Sequence, residues 1–111
     1  MINIGGRNTT SALSHIDYGV DVQPNAVDLR LGKVFKIQNN VFTIDEDQKI
    51  HRGSELFEPW TDGYYHLIPG SYEVLMENEI TVGHDEAGFV ITRSTLNRNG
   101  VFLTSGIYDS G

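Results

Sequence analysis

Residues 64–82 read YYHLIPGSYEVLMENEITV. Pro69 and Gly70 stand together in the middle of this stretch. Pro-Gly is a strong turn signal. The flanks are rich in aromatic and β-branched residues, namely Tyr64, Tyr65, Ile68, Tyr72, Val74, Ile80 and Val82. Such residues favour a pleated, half-buried backbone. The stretch therefore predicts strands arranged around a tight turn.

The same texture continues outward. AVDLRLG, residues 26–32, alternates Val27, Leu29 and Leu31 against Asp28 and Arg30, the period of two of a half-buried strand. KVFKI (33–37) and NVFTI (40–44) are short β-forming runs separated by Gln38 and Asn39. DEDQKIHRGSE (45–55) reads as a solvated turn region, and VGHDEAG (82–88) as a loop. FVITRSTL (89–96) and VFLTSGIYDSG (101–111) predict two further strands, each turning polar toward its end. Only Ser11–Ile16 and Arg93–Arg98 have the makings of short helices. Many short strands with regular turn punctuation predict an all-β barrel or sandwich. The length of 111 residues fits one domain, 1–111.

Composition narrows the function. The formal charge is −7, which argues against tracking a nucleic-acid backbone, an interaction that needs basic surface. It leaves room for one phosphorylated small molecule held by a few local arginines. There is no cysteine, so disulfides, thiolate metal sites and cysteine nucleophiles are excluded, as is a cysteine-ligated zinc deaminase centre. The four histidines, His15, His51, His66 and His84, show no paired metal spacing and read as non-ligands. No apolar run is long enough to span a membrane. The first residues, MINIGGRNTT, lack the pattern of a signal peptide, so a cytoplasmic protein is expected. Trp60, Tyr64 and Tyr65 are expected in a core or a subunit interface.

Four blocks, NAVDLRLG, YHLIPGSYEVL, RSTLNRNG and GIYDSG, occur in that order between Asn25 and Gly111. Together they resemble the trimeric dUTPase and dCTP deaminase superfamily. The first resembles its (S/A)xDLRLG pattern and the second its LxPGxfxL block. The third resembles GRSSLARLG, and the fourth resembles GVIDxxY cut before its aromatic residue. Thr92, Thr95 and Asn97 depart from the usual residues of the third block. The family pattern continues past the fourth block with further strands, a deamination glutamate, a late glutamine block and a C-terminal lid. The resemblance therefore implies a dUTPase-like β-fold, incomplete at the C-terminus, in a fragment or a shortened member.

The resemblance also implies a chemistry. A triphosphate needs donors in fixed geometry, and an arginine fork matches phosphate oxygens. Ser94, Thr95 and Arg98 would contact the phosphates, with Arg93 supporting the local fold and the substrate geometry. The backbone of Gly106, Ile107 and Tyr108 would read the pyrimidine edge and the deoxyribose. Asp109 would be the catalytic base, since a carboxylate within reach of a water can orient it in line and accept its proton. Asp28 would arrange waters on a magnesium ion that the substrate triphosphate carries, with no direct protein ligand to the metal. Plainer readings stand beside these. Residues 93–98 also suit a solvated helix start capped by Ser94 or Thr95. Asp109 suits a turn, and Asp28 a pairing with Arg30 or another arginine.

Within the superfamily the reading favours dUTP diphosphatase, acting as a homotrimer on dUTP. One alternative is a zinc-independent dCTP deaminase, or a bifunctional enzyme, using dCTP. The other is a non-catalytic trimeric assembly or regulatory module. No nucleic acid or membrane partner is expected.

Overall fold

The computed structural model describes residues 2–111. They contain nine strands and a single five-residue helix, so the fold class is all-β, as expected. Among the described residues no helix is long and apolar enough to cross a membrane. The chain divides into two compact units: Leu29–Glu77, and the residues up to Asp28 together with Asn78–Gly111.

The first of these units, Leu29–Glu77, is built on the hydrophobic run that begins at Leu31. Strands β1 to β3 belong to the other unit and occupy Asn3–Ile4, Arg7–Asn8 and Ala12–Leu13. Strand β4, Leu31–Ile37, lies between β7 (Ser54–Phe57) and β8 (Tyr72–Met76), antiparallel to both. Val34 faces Phe57 on one side and Val74 on the other, and is 1% exposed. Directly opposed residues share a sheet face. Phe57 and Tyr72 therefore lie on the Val34 face and meet edge to face, with ring centroids 5.8 Å apart. Lys36 Nζ sits 4.4 Å from the Tyr72 ring centroid, a cation–π contact on the same face.

The β4–β8 register shifts between Leu31 and Lys33. Gly32 makes this bulge, for a Cβ there would fall 2.7 Å from the Leu75 carbonyl oxygen. Strands β5 (Thr43–Ile44) and β6 (Lys49–Ile50) form a separate hairpin. Its turn is held by Asp45 Oδ1, which accepts the amides of Asp47 and Gln48 at 2.8 Å each. The solvated turn expected at 45–47 is thus an Asx turn. Those two amide bonds hold the Asp45 carboxyl below its usual range.

The other unit opens with a β1–β2 hairpin whose two turn glycines, Gly5 and Gly6, both have positive φ. Strand β3 pairs antiparallel with β9 (Ile80–Thr81), with Leu13 opposite Ile80. Ser11–Ile16 is therefore strand and turn rather than helix. Asn78 holds that turn, with Nδ2 donating to the Ser14 carbonyl at 2.8 Å. Strand pairing overrode a weak local helix preference.

Other expectations also shifted. The run from Val27 does not begin a continuous strand. Val27 bridges Val22, and the ladder of β4 starts at Leu31. Tyr64–Ile68 join no strand, and the Tyr72 hydroxyl donates to the Ile68 carbonyl at 2.9 Å. Residues 89–93 and 101–107 are likewise outside any ladder. In that region Gly88 and Tyr108 form an isolated bridge, and the Val90 amide is taken by the Ser105 hydroxyl at 3.3 Å. Tyr65 packs on Phe57 at 6.4 Å, but Trp60 and Tyr64 are exposed, so a core role does not hold for those two.

Candidate functional site

RSTLNRNG folds as the sequence suggests. Arg93 is the N-cap residue with extended backbone, and α1 runs Ser94–Arg98. Neither Ser94 nor Thr95 caps the helix with its side chain, so the capping role anticipated for them is not taken up. Both residues are exposed. The helix ends in a Schellman motif. The Val101 amide donates to the Leu96 carbonyl and the Gly100 amide to that of Asn97. Gly100 takes φ of +76°, the left-handed conformation this stop requires. Asn99 Nδ2 adds a bond to the Thr95 carbonyl at 2.8 Å.

Asp28 meets this block. Arg93 Nη1 donates to Asp28 Oδ2 at 2.8 Å, and Gln23 Nε2 donates to the same oxygen at 3.2 Å. Asp28 itself is placed by a tight local fold. The Gln23 amide bonds the Ala26 carbonyl across Pro24-Asn25, and the Asp28 amide bonds the Asp21 carbonyl at 2.8 Å. The Asp28 side chain is 22% exposed and that of Arg93 72%. The pairing of Asp28 with an arginine thus occurs, and the partner is Arg93. The structure joins the first and third sequence blocks in one charged pair.

Asp109 lies in a segment pinned at both ends. Tyr108 and Gly88 exchange backbone hydrogen bonds of 2.7 and 3.0 Å, and the Gly111 amide donates to the Val82 carbonyl at 3.1 Å. Asp109 was expected at the end of a strand, but the ladder here is the single Gly88–Tyr108 bridge. Residues 83–87 loop out between the two pairings, which leaves no continuous partner strand. Gly106, Ile107 and Tyr108 are exposed, with the Gly106 carbonyl accepting from the Ser105 hydroxyl. Among the described residues, Arg98 and Asp109 make no ion pair with each other or with the Asp28–Arg93 pair.

The groups available are the exposed Arg93, Arg98, Ser94, Thr95 and Asp109 side chains and the part-buried Asp28 carboxylate. Among the described residues no group of three His, Asp or Glu side chains is arranged to hold a metal ion. Among the described residues Asp28 Oδ1 accepts from no protein donor. Each unit also carries a hollow lined by other residues. One of about 440 Å³ is lined by Ile37, Phe42, His51, Arg52, Ser54 and Glu73. The other, about 320 Å³, lies among Ile4, Arg7, Thr9, Thr10, Asp85 and Glu86.

Glu86 belongs to none of the four sequence blocks. Its Oε1 accepts from the hydroxyls of Thr9 and Ser11 and from the amides of Thr10 and Ser11. The Thr9 and Ser11 hydroxyls lead in pulling its carboxyl down to about 2. The signal was present as three consecutive hydroxyl residues, Thr9-Thr10-Ser11, but nothing in the sequence said which carboxylate they would meet.

A family model described as dCTP deaminase-like matches residues 8–111. A probable deoxyuridine 5'-triphosphate nucleotidohydrolase of Methanococcoides burtonii is 35% identical over 98 residues, covering 86% of this chain and 57% of that protein. The deoxyuridine 5'-triphosphate nucleotidohydrolase of Methanocaldococcus jannaschii is 33% identical over 92 residues, 81% of this chain and 59% of its own length. A probable enzyme of the same name from Halobacterium salinarum is 34% identical over 95 residues, with 81% and 57% covered. The chain thus spans less than two thirds of the length of these relatives. No solved structure gives a significant match.

Proposed function

The chain belongs to the dCTP deaminase-like family, and from that premise we propose that it carries the triphosphate-binding and water-activating residues of a dUTP diphosphatase. In that reaction water attacks the α-phosphorus of dUTP, the α–β bridging oxygen leaves with pyrophosphate, and dUMP remains. The observation that carries the reading is the Arg93–Asp28 ion pair, which sets the third block against the first. The names of the archaeal relatives support dUTP as the substrate.

The roles follow from what each group can do. Ser94 and Thr95 offer exposed hydroxyls, and Arg98 a guanidinium, to the phosphate oxygens. Arg93, held by Asp28, keeps its remaining N–H groups for the same anion. Asp109 orients the water and takes its proton, while the backbone of Gly106, Ile107 and Tyr108 reads the uracil and the sugar. Asp28 would accept hydrogen bonds from the waters of a magnesium ion carried by the triphosphate, an ion that would supply charge neutralisation there. The site residues lie on open surface, which suits a site completed by a neighbouring chain in a cytoplasmic homotrimer.

A second reading, dCTP deamination, is favoured by the description of the matching family model. One experiment separates the two. The protein is expressed from its complete coding sequence and given dUTP or dCTP with magnesium, and pyrophosphate and ammonia are measured. Pyrophosphate from dUTP, abolished by Asp109→Asn with binding retained, is the expected result. Ammonia from dCTP without pyrophosphate would replace this reading with the deaminase one. Unchanged dUTP turnover in Asp109→Asn would remove Asp109 as the base.

A further inference from the structure

We propose that Glu86 is a positioning residue for Asp109. It anchors the loop Val82–Gly88 to Thr9–Ser11, and the two ends of that loop hold the segment that carries Asp109. The step to catalysis rests on the reading of Asp109 given above; the clamp itself does not.

The geometry is specific. Val82 holds Gly111 through its carbonyl, and Gly88 holds Tyr108 through a reciprocal pair. Asp109 lies between those two attachment points. The loop that separates them, residues 83–87, has no ladder of its own, so something else must fix it. That anchor is the Glu86 carboxylate. The Ser11 hydroxyl donates to it at 2.7 Å, the Ser11 amide at 2.9 Å and the Thr10 amide at 3.1 Å, with the Thr9 hydroxyl as a further donor. Bonds to an ionised acceptor are the stronger class.

The anchor extends to both neighbours in the loop. The Gly83 amide donates to the Ser11 hydroxyl oxygen at 2.8 Å, so that hydroxyl links Gly83 to Glu86. The Glu86 amide closes the loop on the Gly83 carbonyl at 3.0 Å. The Thr10 hydroxyl has one proton for two acceptors, and the nearer is Asp85 Oδ1 at 2.7 Å. A Cβ at Gly83 would overlap Thr10 Oγ1, so a larger residue there would displace the Thr10 side chain. Thr9–Ser11 are themselves fixed, since the Thr9 amide bonds the Ile2 carbonyl and β3 follows at once. Loop 82–88 is therefore tied to a strand-bearing segment at its centre and to the Asp109 segment at both ends.

The test uses Glu86→Ala, which removes the acceptor, and Glu86→Gln, which keeps an acceptor oxygen in place. Amide hydrogen exchange is read at Gly88, Tyr108 and Gly111, with β4 amides as internal reference. The expected result is several-fold faster exchange at those three amides in Glu86→Ala, little change in β4, and values near the parent's in Glu86→Gln. Unchanged exchange at the three amides would overturn the clamp, and so would a uniform rise that includes β4. In turnover of dUTP, Glu86→Ala should lower kcat by about 10²-fold, the size of a 1 Å misplacement, with KM little changed. Added to Asp109→Asn it should bring no further loss, because both act on the same step. Losses that multiply would overturn positioning through Asp109. If the parent released no pyrophosphate from dUTP, the proposed function would fall, while the exchange data would still decide whether Glu86 holds the segment.

Discussion

The Asp28–Arg93 pair is open to solvent on its Arg93 side, and ion pairs reached by solvent contribute about 0–1 kcal/mol to folding. Asp28→Asn keeps an oxygen for the Arg93 guanidinium and removes the charge. Its effect on unfolding by urea should therefore stay under about 1 kcal/mol. If Asp28 arranges magnesium-bound waters, the same change should lower the magnesium-dependent affinity for a non-hydrolysable dUTP analogue, measured by calorimetry. Equal affinity with and without magnesium in parent and variant would end that role. Glu86 gives a second residue-scale prediction. Its folded value is about 2, against 4.5 for the free group. The folded state thus binds the proton less tightly than the unfolded one. Its contribution is fully present above about 4.5 and is lost as pH falls toward about 2. Asp85 and Arg7 lie at the same hollow and shape the local field. Urea midpoints measured through that window should fall less steeply in Glu86→Gln than in the parent. Parallel profiles would count against the Glu86 assignment.

At the scale of elements, the two glycines that matter most are Gly32 and Gly100, and each tests a different rule. A Cβ on Gly32 would meet the Leu75 carbonyl and the Glu77 amide, which are backbone atoms of the neighbouring β8 edge and cannot swing aside. Gly32→Ala should cost about 1–3 kcal/mol, as other forced overpacking does, read as a lowered urea midpoint. Gly100→Ala meets no neighbour but must adopt a left-handed φ, a penalty of about 1–2 kcal/mol. The short helix that Gly100 ends was legible in the sequence, which offered Arg93–Arg98 as helical. So was a solvated turn at Asp45–Asp47, though not its Asx bonds. The Gly32 bulge was not, since it depends on where β8 falls. Nor was β3, because Ser11–Ile16 takes its conformation from β9 and Asn78, which lie more than sixty residues away along the chain. The same limit applies to the site. Arg93 and Asp28 could each be named from their blocks, whereas their contact, and the meeting of Glu86 with Thr9–Ser11, are made by tertiary structure.

For the molecule as a whole, the buried hydrophobic side chains among the described residues are few. Leu29–Glu77 buries Val34, and the other unit buries Ile2 and Val82. Phe89, Ile91, Phe102 and Ile107 are each at least 70% exposed. A chain of this size gains little from its own core, and association is one way to bury more apolar surface. On the proposed trimeric reading, folding and assembly are then linked, and linkage has a signature that a self-sufficient monomer lacks. The unfolding midpoint should rise with protein concentration, because mass action favours the associated state. Light scattering on the same samples should give three chains per particle at the upper end of the series. A midpoint independent of concentration, together with a monomer by scattering, would mean that these side chains stay exposed in a stable single chain. The homotrimer, and a site shared between its subunits, would then have to be abandoned.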